Sequence, residues 1–129
     1  MVTLAVDAMG GDHGPRITVP AVLLALSARQ DLRVLLFGRQ QDLAAAFDPS
    51  AHPQSDRLQI VHADEVVGMA ESPSVALRSK KQSSMRLMLD ALDAGQVGGC
   101  VSAGNTGALM AISRHVLKMS DGIERPAIV

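Results

Sequence analysis

Four short apolar runs, Val2–Val6, Leu32–Phe37, Leu58–His62 and Cys100–Ser102, recur along the chain with helix-like stretches between them. This alternation constrains the fold more than any other feature. The runs lack a regular polar alternation, so each reads as a strand buried on both faces. Such strands need helices above and below them. The expected architecture is therefore α/β and Rossmann-like, a mainly parallel sheet with helices on both faces.

The intervening stretches fit that plan. Arg16–Arg29 reads as a helix, with Thr18 a candidate N-cap and Pro20 tolerated in the first turn. Gln40–Phe47 reads as a short helix, and Asp48–Ser55 as a polar, proline-marked loop. Ser72-Pro73 is a helix start, a capping serine followed by proline at the first helical position. One helix is expected from Ser72 to Ala94, stopped by Gly95, and another from Ala108 to Lys118. Arg125–Val129 reads as the opening of a further strand, inside which the sequence stops. The expectation is a single α/β domain over 1–129, truncated from a longer enzyme.

Composition narrows the function classes. Twelve Lys+Arg against 13 Asp+Glu give a net charge of −1, so no global field favours nucleic acid. Phe37 and Phe47 are the only aromatic residues, too few to form a base-stacking platform. Cys100 is the only cysteine; it sits in an apolar run and reads as a small core residue, with no intrachain disulfide possible. No basic segment precedes the apolar residues of Met1–Asp7, and the apolar run Val19–Leu26 is far short of a membrane span. A cytoplasmic protein is expected, with at most peripheral membrane contact. His52, His62 and His115 show no ligand spacing, so neither a metal nor a cofactor is expected.

Two loops carry the chemistry. Asp7-Ala8-Met9-Gly10-Gly11-Asp12-His13-Gly14-Pro15 follows the first strand, and Ser102-Ala103-Gly104-Asn105-Thr106-Gly107 follows the fourth. In an open parallel sheet both lie at the carboxyl ends of strands, where ligands bind. Glycines admit an anion close to the backbone, and free N–H groups at a helix start attract negative charge. Either loop alone reads equally well as a tight turn; two in one short chain point to an anion site. A third feature is the helical stripe Met85, Met88, Leu89 and Leu92, which projects back onto Arg78 and Lys81, with Lys80 on the opposite side. A stripe that is apolar at one end and basic at the other borders a polar cleft, although basic side chains also snorkel from half-buried faces. His13 shares its loop with Asp7 and Asp12 and is a candidate base or phosphate donor. Met85, Met88 and Met110 read mainly as core, with an alkyl-chain channel as the lesser reading.

Competing motifs fail. There is no P-loop pattern, and Gly10-Gly11-x-x-Gly14 only approximates the dinucleotide fingerprint. The second strand ends in Gly38-Arg39 where that fingerprint has an acidic residue, which leaves an oxidoreductase as a weak alternative.

The residues also carry a resemblance. Val6-Asp7-Ala8-Met9-Gly10-Gly11-Asp12 followed by Pro15 resembles the opening signature of the bacterial phosphate acyltransferases of phospholipid synthesis. Glu71-Ser72-Pro73, Ala76-Leu77-Arg78, Lys80-Lys81 and Ser83-Ser84-Met85 resemble the second block of that family, and Val101–Leu109 the third. Arg125-Pro126-Ala127 is similar to a fourth. The resemblance implies a phosphotransacetylase-like fold, a homodimer, and transfer of a fatty acyl chain from acyl carrier protein to inorganic phosphate. It also implies a longer chain, so these residues alone are expected to be inactive and to self-associate.

On that reading, phosphate attacks the thioester directly, and the site must position it and stabilise a tetrahedral oxyanion. Phosphate binding is assigned to the backbone of Gly10, Gly11, Gly104 and Thr106, assisted by Ser102, Asn105, Arg78 and Lys81. Asp7, Asp12 or His13 removes a phosphate proton or orients the donors. The rivals are a phosphotransacetylase-like enzyme acting on acyl-CoA and a non-catalytic ligand-binding or dimerisation domain.

Overall fold

The computed structural model describes residues 1–117. The strands are β1 (Val2–Asp7), β2 (Leu32–Gly38), β3 (Leu58–His62) and β4 (Gly99–Val101). The helices are α1 (Pro15–Ala28), α2 (Gln40–Ala46), α3 (Pro73–Ser79), α4 (Ser84–Asp93) and α5 (Thr106–Leu117). All four strands are parallel, in the order β3-β2-β1-β4. The α/β, Rossmann-like expectation therefore holds. The expected strand at Arg125–Val129 lies outside the described residues.

Because side chains alternate along a strand, the sheet feeds two separate cores. Leu4, Val6, Leu32, Val34 and Leu36 pack with Val19, Val22, Leu23 and Leu26 of α1 and Leu43 of α2. Ala5, Leu35 and Phe37 pack on the other side with Met85, Met88 and Leu89 of α4 and Ala108 and Ile112 of α5. The chain steps from β1 to β2 on one side and later returns to place β4 on the other side of β1. The gap between the carboxyl ends of β1 and β4 is thus the topological switch point of the sheet, where parallel sheets bind ligands.

Three local expectations need correction. The single helix Ser72–Ala94 is two helices, α3 and α4, broken at Lys80–Ser83. Ser83 is a second N-cap, its hydroxyl accepting from Arg86 N at 3.1 Å. The break is held from outside: the Glu65 carboxylate accepts from Gln82 N, and Ser84 N donates to Glu65 O. Secondly, Thr18 is not the N-cap of α1; Gly14 occupies that position. The Thr18 hydroxyl instead ties the helix to the preceding loop, donating to Ala8 O at 2.6 Å. Thirdly, Asp48–Ser55 is not plain loop but holds most of two short 3-10 turns, Pro49–Ala51 and Pro53–Arg57. The second turn aims Arg57 at the end of α1, where its guanidinium donates to Leu26 O, Arg29 O and Leu32 O.

The end of α4 follows the expected signal. Gly95 has φ 77°, and Gly95 N and Gln96 N donate to Leu92 O and Ala91 O, a Schellman closure that favours glycine.

One face stays open among the described residues. A groove of about 350 Å³ runs between α1 and the β1–β4 edge, lined by Leu4, Val6, Ala21, Val22 and Val101. Ile17 and Leu24 on α1 are 54% and 72% exposed, and Val101 on β4 is 56% exposed. Helix α1 is therefore apolar on its outer side as well as its inner one. None of the described helices is long and apolar enough to cross a membrane.

Candidate functional site

The sheet register places Asp7 at the carboxyl end of β1, and Ser102 directly follows β4. Asp7 is buried, yet both its oxygens are satisfied. Oδ1 accepts from the Ser84 hydroxyl at 2.6 Å and from Met9 N at 3.1 Å, and Oδ2 accepts from the Ser102 hydroxyl at 2.9 Å. Three donors are what a buried carboxylate requires. The contact joins three segments far apart in sequence: the first glycine loop, the start of α4 and the second glycine loop.

The two loops then close on each other. Ser102 Oγ also accepts from Gly104 N at 3.1 Å. A β-carbon added to Gly10 would lie 2.8 Å from Gly104 N and 3.1 Å from both Asp7 Oδ2 and Ser102 Oγ. The backbones of Gly10 and Gly104 meet with no room for a side chain between them.

Bonding partners divide the expected site residues into a frame and a set of free donors. The one hydroxyl proton of Ser102 points to Asp7, and Gly104 N is held by Ser102, so both belong to the frame. Asn105 is buried and fully engaged: Oδ1 caps α5 by accepting from Ala108 N, and Nδ2 donates to Gly68 O and Glu71 O. It pins the segment before α3 against the second loop. Among the described residues, the N–H groups of Gly10, Gly11, Thr106 and Gly107 and the hydroxyl of Thr106 meet no acceptor. Those are the donors left for a ligand.

The charged residues are sorted differently from the stripe projection. Because the helix breaks at Lys80–Ser83, the stripe of α4 does not continue onto Arg78 and Lys81. Met85, Met88 and Leu89 are buried and Leu92 partly so, which confirms them as core. Lys80 is the inward-turned lysine: its ammonium donates to Val66 O at 3.1 Å and lies 3.7 Å from Glu71 Oε1. Arg78 and Lys81 are exposed, with Arg78 Nε donating to Ser74 O. Asp12 and His13 are exposed on the first loop, and His13 Nδ1 accepts from Arg16 at 3.4 Å. Cys100 is half-buried, and burial pushes its thiol up from the ordinary range, in keeping with an inert core residue.

Sequence reasoning missed Ser84 as a site residue. Its signal was present, since Ser83-Ser84 after Lys80-Lys81 is a second capping pair. What sequence could not show is that the second of those serines reaches a carboxylate 77 residues away.

The model of the fatty acid synthesis protein family matches residues 2–129. The chain belongs to that family. Among its relatives within the fatty acid synthesis protein family, a phosphate acyltransferase of Coxiella burnetii (strain Dugway 5J108-111) is 52% identical over 98% of this chain. One of Methylococcus capsulatus is 51% identical over all of it, and one of Shewanella sp. (strain ANA-3) is 47% identical over 99%. The chain spans about 37% of the length of the curated relatives it matches.

Proposed function

We propose that these residues form the phosphate-holding part of an acyltransferase that moves a fatty acyl group from acyl carrier protein to inorganic phosphate. The observation that carries this reading is the apposition of two glycine loops, Gly10 against Gly104, at the β1–β4 switch point, with N–H groups on both loops that meet no acceptor among the described residues. The relatives named phosphate acyltransferase supply the reaction class.

The chemistry asks for little beyond placement. A phosphate oxygen attacks the thioester carbonyl, a carbon–oxygen bond forms, and the carbon–sulfur bond then breaks. The thiol leaves with the proton that phosphate gives up, and the product is an acyl phosphate. Backbone N–H groups at Gly10, Gly11 and Thr106, with the Thr106 hydroxyl, hold the anion; Arg78 and Lys81 add positive charge. Asp7 does not serve as the base on this reading, because both its oxygens are occupied by the frame. Asp12 and His13, on the same loop and open to solvent, are the candidates for that role.

Measuring thiol release with and without phosphate, using acyl carrier protein thioesters and CoA thioesters in parallel, tests the reading. Phosphate-dependent release from the carrier protein thioester supports it. Release from CoA thioesters alone would make the protein phosphotransacetylase-like. Absence of both, in a protein of the relatives' full length, would leave a ligand-binding domain.

A further inference from the structure

The Asp7–Ser84 contact has no part in the chemistry just described, yet it is the shortest buried side-chain bond joining distant segments of the site. Ser84 is the first residue of α4 and almost fully buried, and its hydroxyl meets Asp7 Oδ1 at 2.6 Å. Asp7 in turn holds Met9 N and the Ser102 hydroxyl, and Ser102 holds Gly104 N. The order of bonds is therefore Ser84, Asp7, Ser102, Gly104, with Gly10 seated on the last three. A carboxylate beside an anion site repels the ligand unless its charge is taken up by donors of its own. Here Ser84 and Ser102 supply those donors on the two sides of the carboxylate.

We infer that Ser84 is a positioning residue: acting through Asp7, it fixes the spacing of the two glycine loops for phosphate without touching the ligand. The inference rests on the proposed phosphate site for its functional part, but its structural part stands alone. The neighbour Ser83 provides the internal control. Its hydroxyl caps α4 and donates to Lys80 O, and none of its side-chain bonds reaches Asp7. Loss of Ser83 weakens the helix; loss of Ser84 slackens the loops.

Two measurements on Ser84→Ala and Ser83→Ala test this. Amide hydrogen exchange reads the frame directly. Ser84→Ala is expected to speed exchange at Met9 and Gly104 at least roughly tenfold relative to amides shared by β2 and β3, whereas Ser83→Ala is not. In the active protein, Ser84→Ala is expected to raise the KM for phosphate about tenfold or more while leaving the KM for the acyl donor unchanged. Ser84→Thr, which keeps the hydroxyl, restores part of the loss. Unchanged exchange at Met9 and Gly104 in Ser84→Ala overturns the inference whether or not phosphate is the substrate. Equal rises in both KM values overturn it too, because they would mark a general loss of fold. An active protein with no phosphate dependence would instead remove the proposed function and leave the exchange result to decide the role of Ser84.

Discussion

Gly10 and Gly104 sit backbone against backbone, close enough that a β-carbon on the first would lie 2.8 Å from the amide nitrogen of the second. That approach turns two separate turns into one continuous surface. It also makes Gly10 intolerant of any side chain, because the atom met is backbone. Gly10→Ala is expected to part the loops, lowering stability by about 1–3 kcal/mol. Phosphate affinity should fall further than stability does. Thermal melting with and without phosphate checks both; a variant that melts and binds like the parent would contradict the close approach.

Asn105 joins α5 to the segment before α3 through three hydrogen bonds. Asn105→Ala removes the cap and the donor to Glu71 O, while Gly68 O keeps Glu71 N as a partner, at an expected cost of about 2–3 kcal/mol. Asn105→Asp keeps an oxygen for the cap but loses the amide donor and sets a carboxylate against the carbonyls of Gly68 and Glu71. It should therefore rescue little. Denaturant midpoints of the two variants decide it, and full rescue by aspartate would mean that capping alone matters.

Lys80 and Lys81 are adjacent and chemically identical, yet their surroundings predict opposite behaviour. Lys80 reaches Val66 O and the Glu71 carboxylate, and one Glu71 oxygen is buried without a partner among the described residues. Lys80→Ala should therefore lower the melting temperature, with a cost on the order of 1–2 kcal/mol. Lys81→Ala leaves stability nearly unchanged and raises the KM for phosphate. A matched pair of melting and kinetic measurements is the check, and identical profiles would show that the helix break does not separate their roles.

Burial raises the pKa of the Cys100 thiol, which sets a pH dependence. The charged form is the one disfavoured, so at pH 8 less thiolate is present than on a free cysteine. Alkylation by iodoacetamide is expected to run more slowly than for a model thiol, and to accelerate at higher pH. Rapid labelling at pH 7 would place Cys100 in an open, activating environment.

Helix α1 presents Ile17 outward beside the exposed Val101 of β4, both lining the open groove. An apolar face of this kind associates with whatever can cover it. The 129-residue chain is expected to self-associate at micromolar concentration, and Ile17→Lys with Val101→Lys should reduce that association. Sedimentation velocity gives the answer; a monomer in both forms would show that the face is already covered.

Much of the fold was legible in the residues. Runs such as Leu32–Phe37, apolar on both sides, called for a parallel sheet between helices, and β3 occupies Leu58–His62 as the pattern indicates. The helix break was not legible. Lys80–Ser83 lies inside an amphipathic pattern that a helix could continue, and Glu65, a distant residue, holds it open through Gln82 and Ser84. The projection of the apolar stripe onto Arg78 and Lys81 depended on an unbroken helix, and the break at Lys80–Ser83 removes that projection.

The sequence by itself determined which residues were available: two glycine loops, their order after β1 and β4, and the apolar spacing that buries the strands between helices. Those are local properties, set by backbone freedom and by the periodicity of side chains. Only the tertiary structure decided which of the loop donors stay unengaged among the described residues and which hold the frame. A hydroxyl has one proton to donate and an asparagine a fixed set of donors and acceptors. Whether Ser102 and Asn105 offer them to phosphate or to Asp7, Gly68 and Glu71 depends on contacts 34 to 95 residues apart.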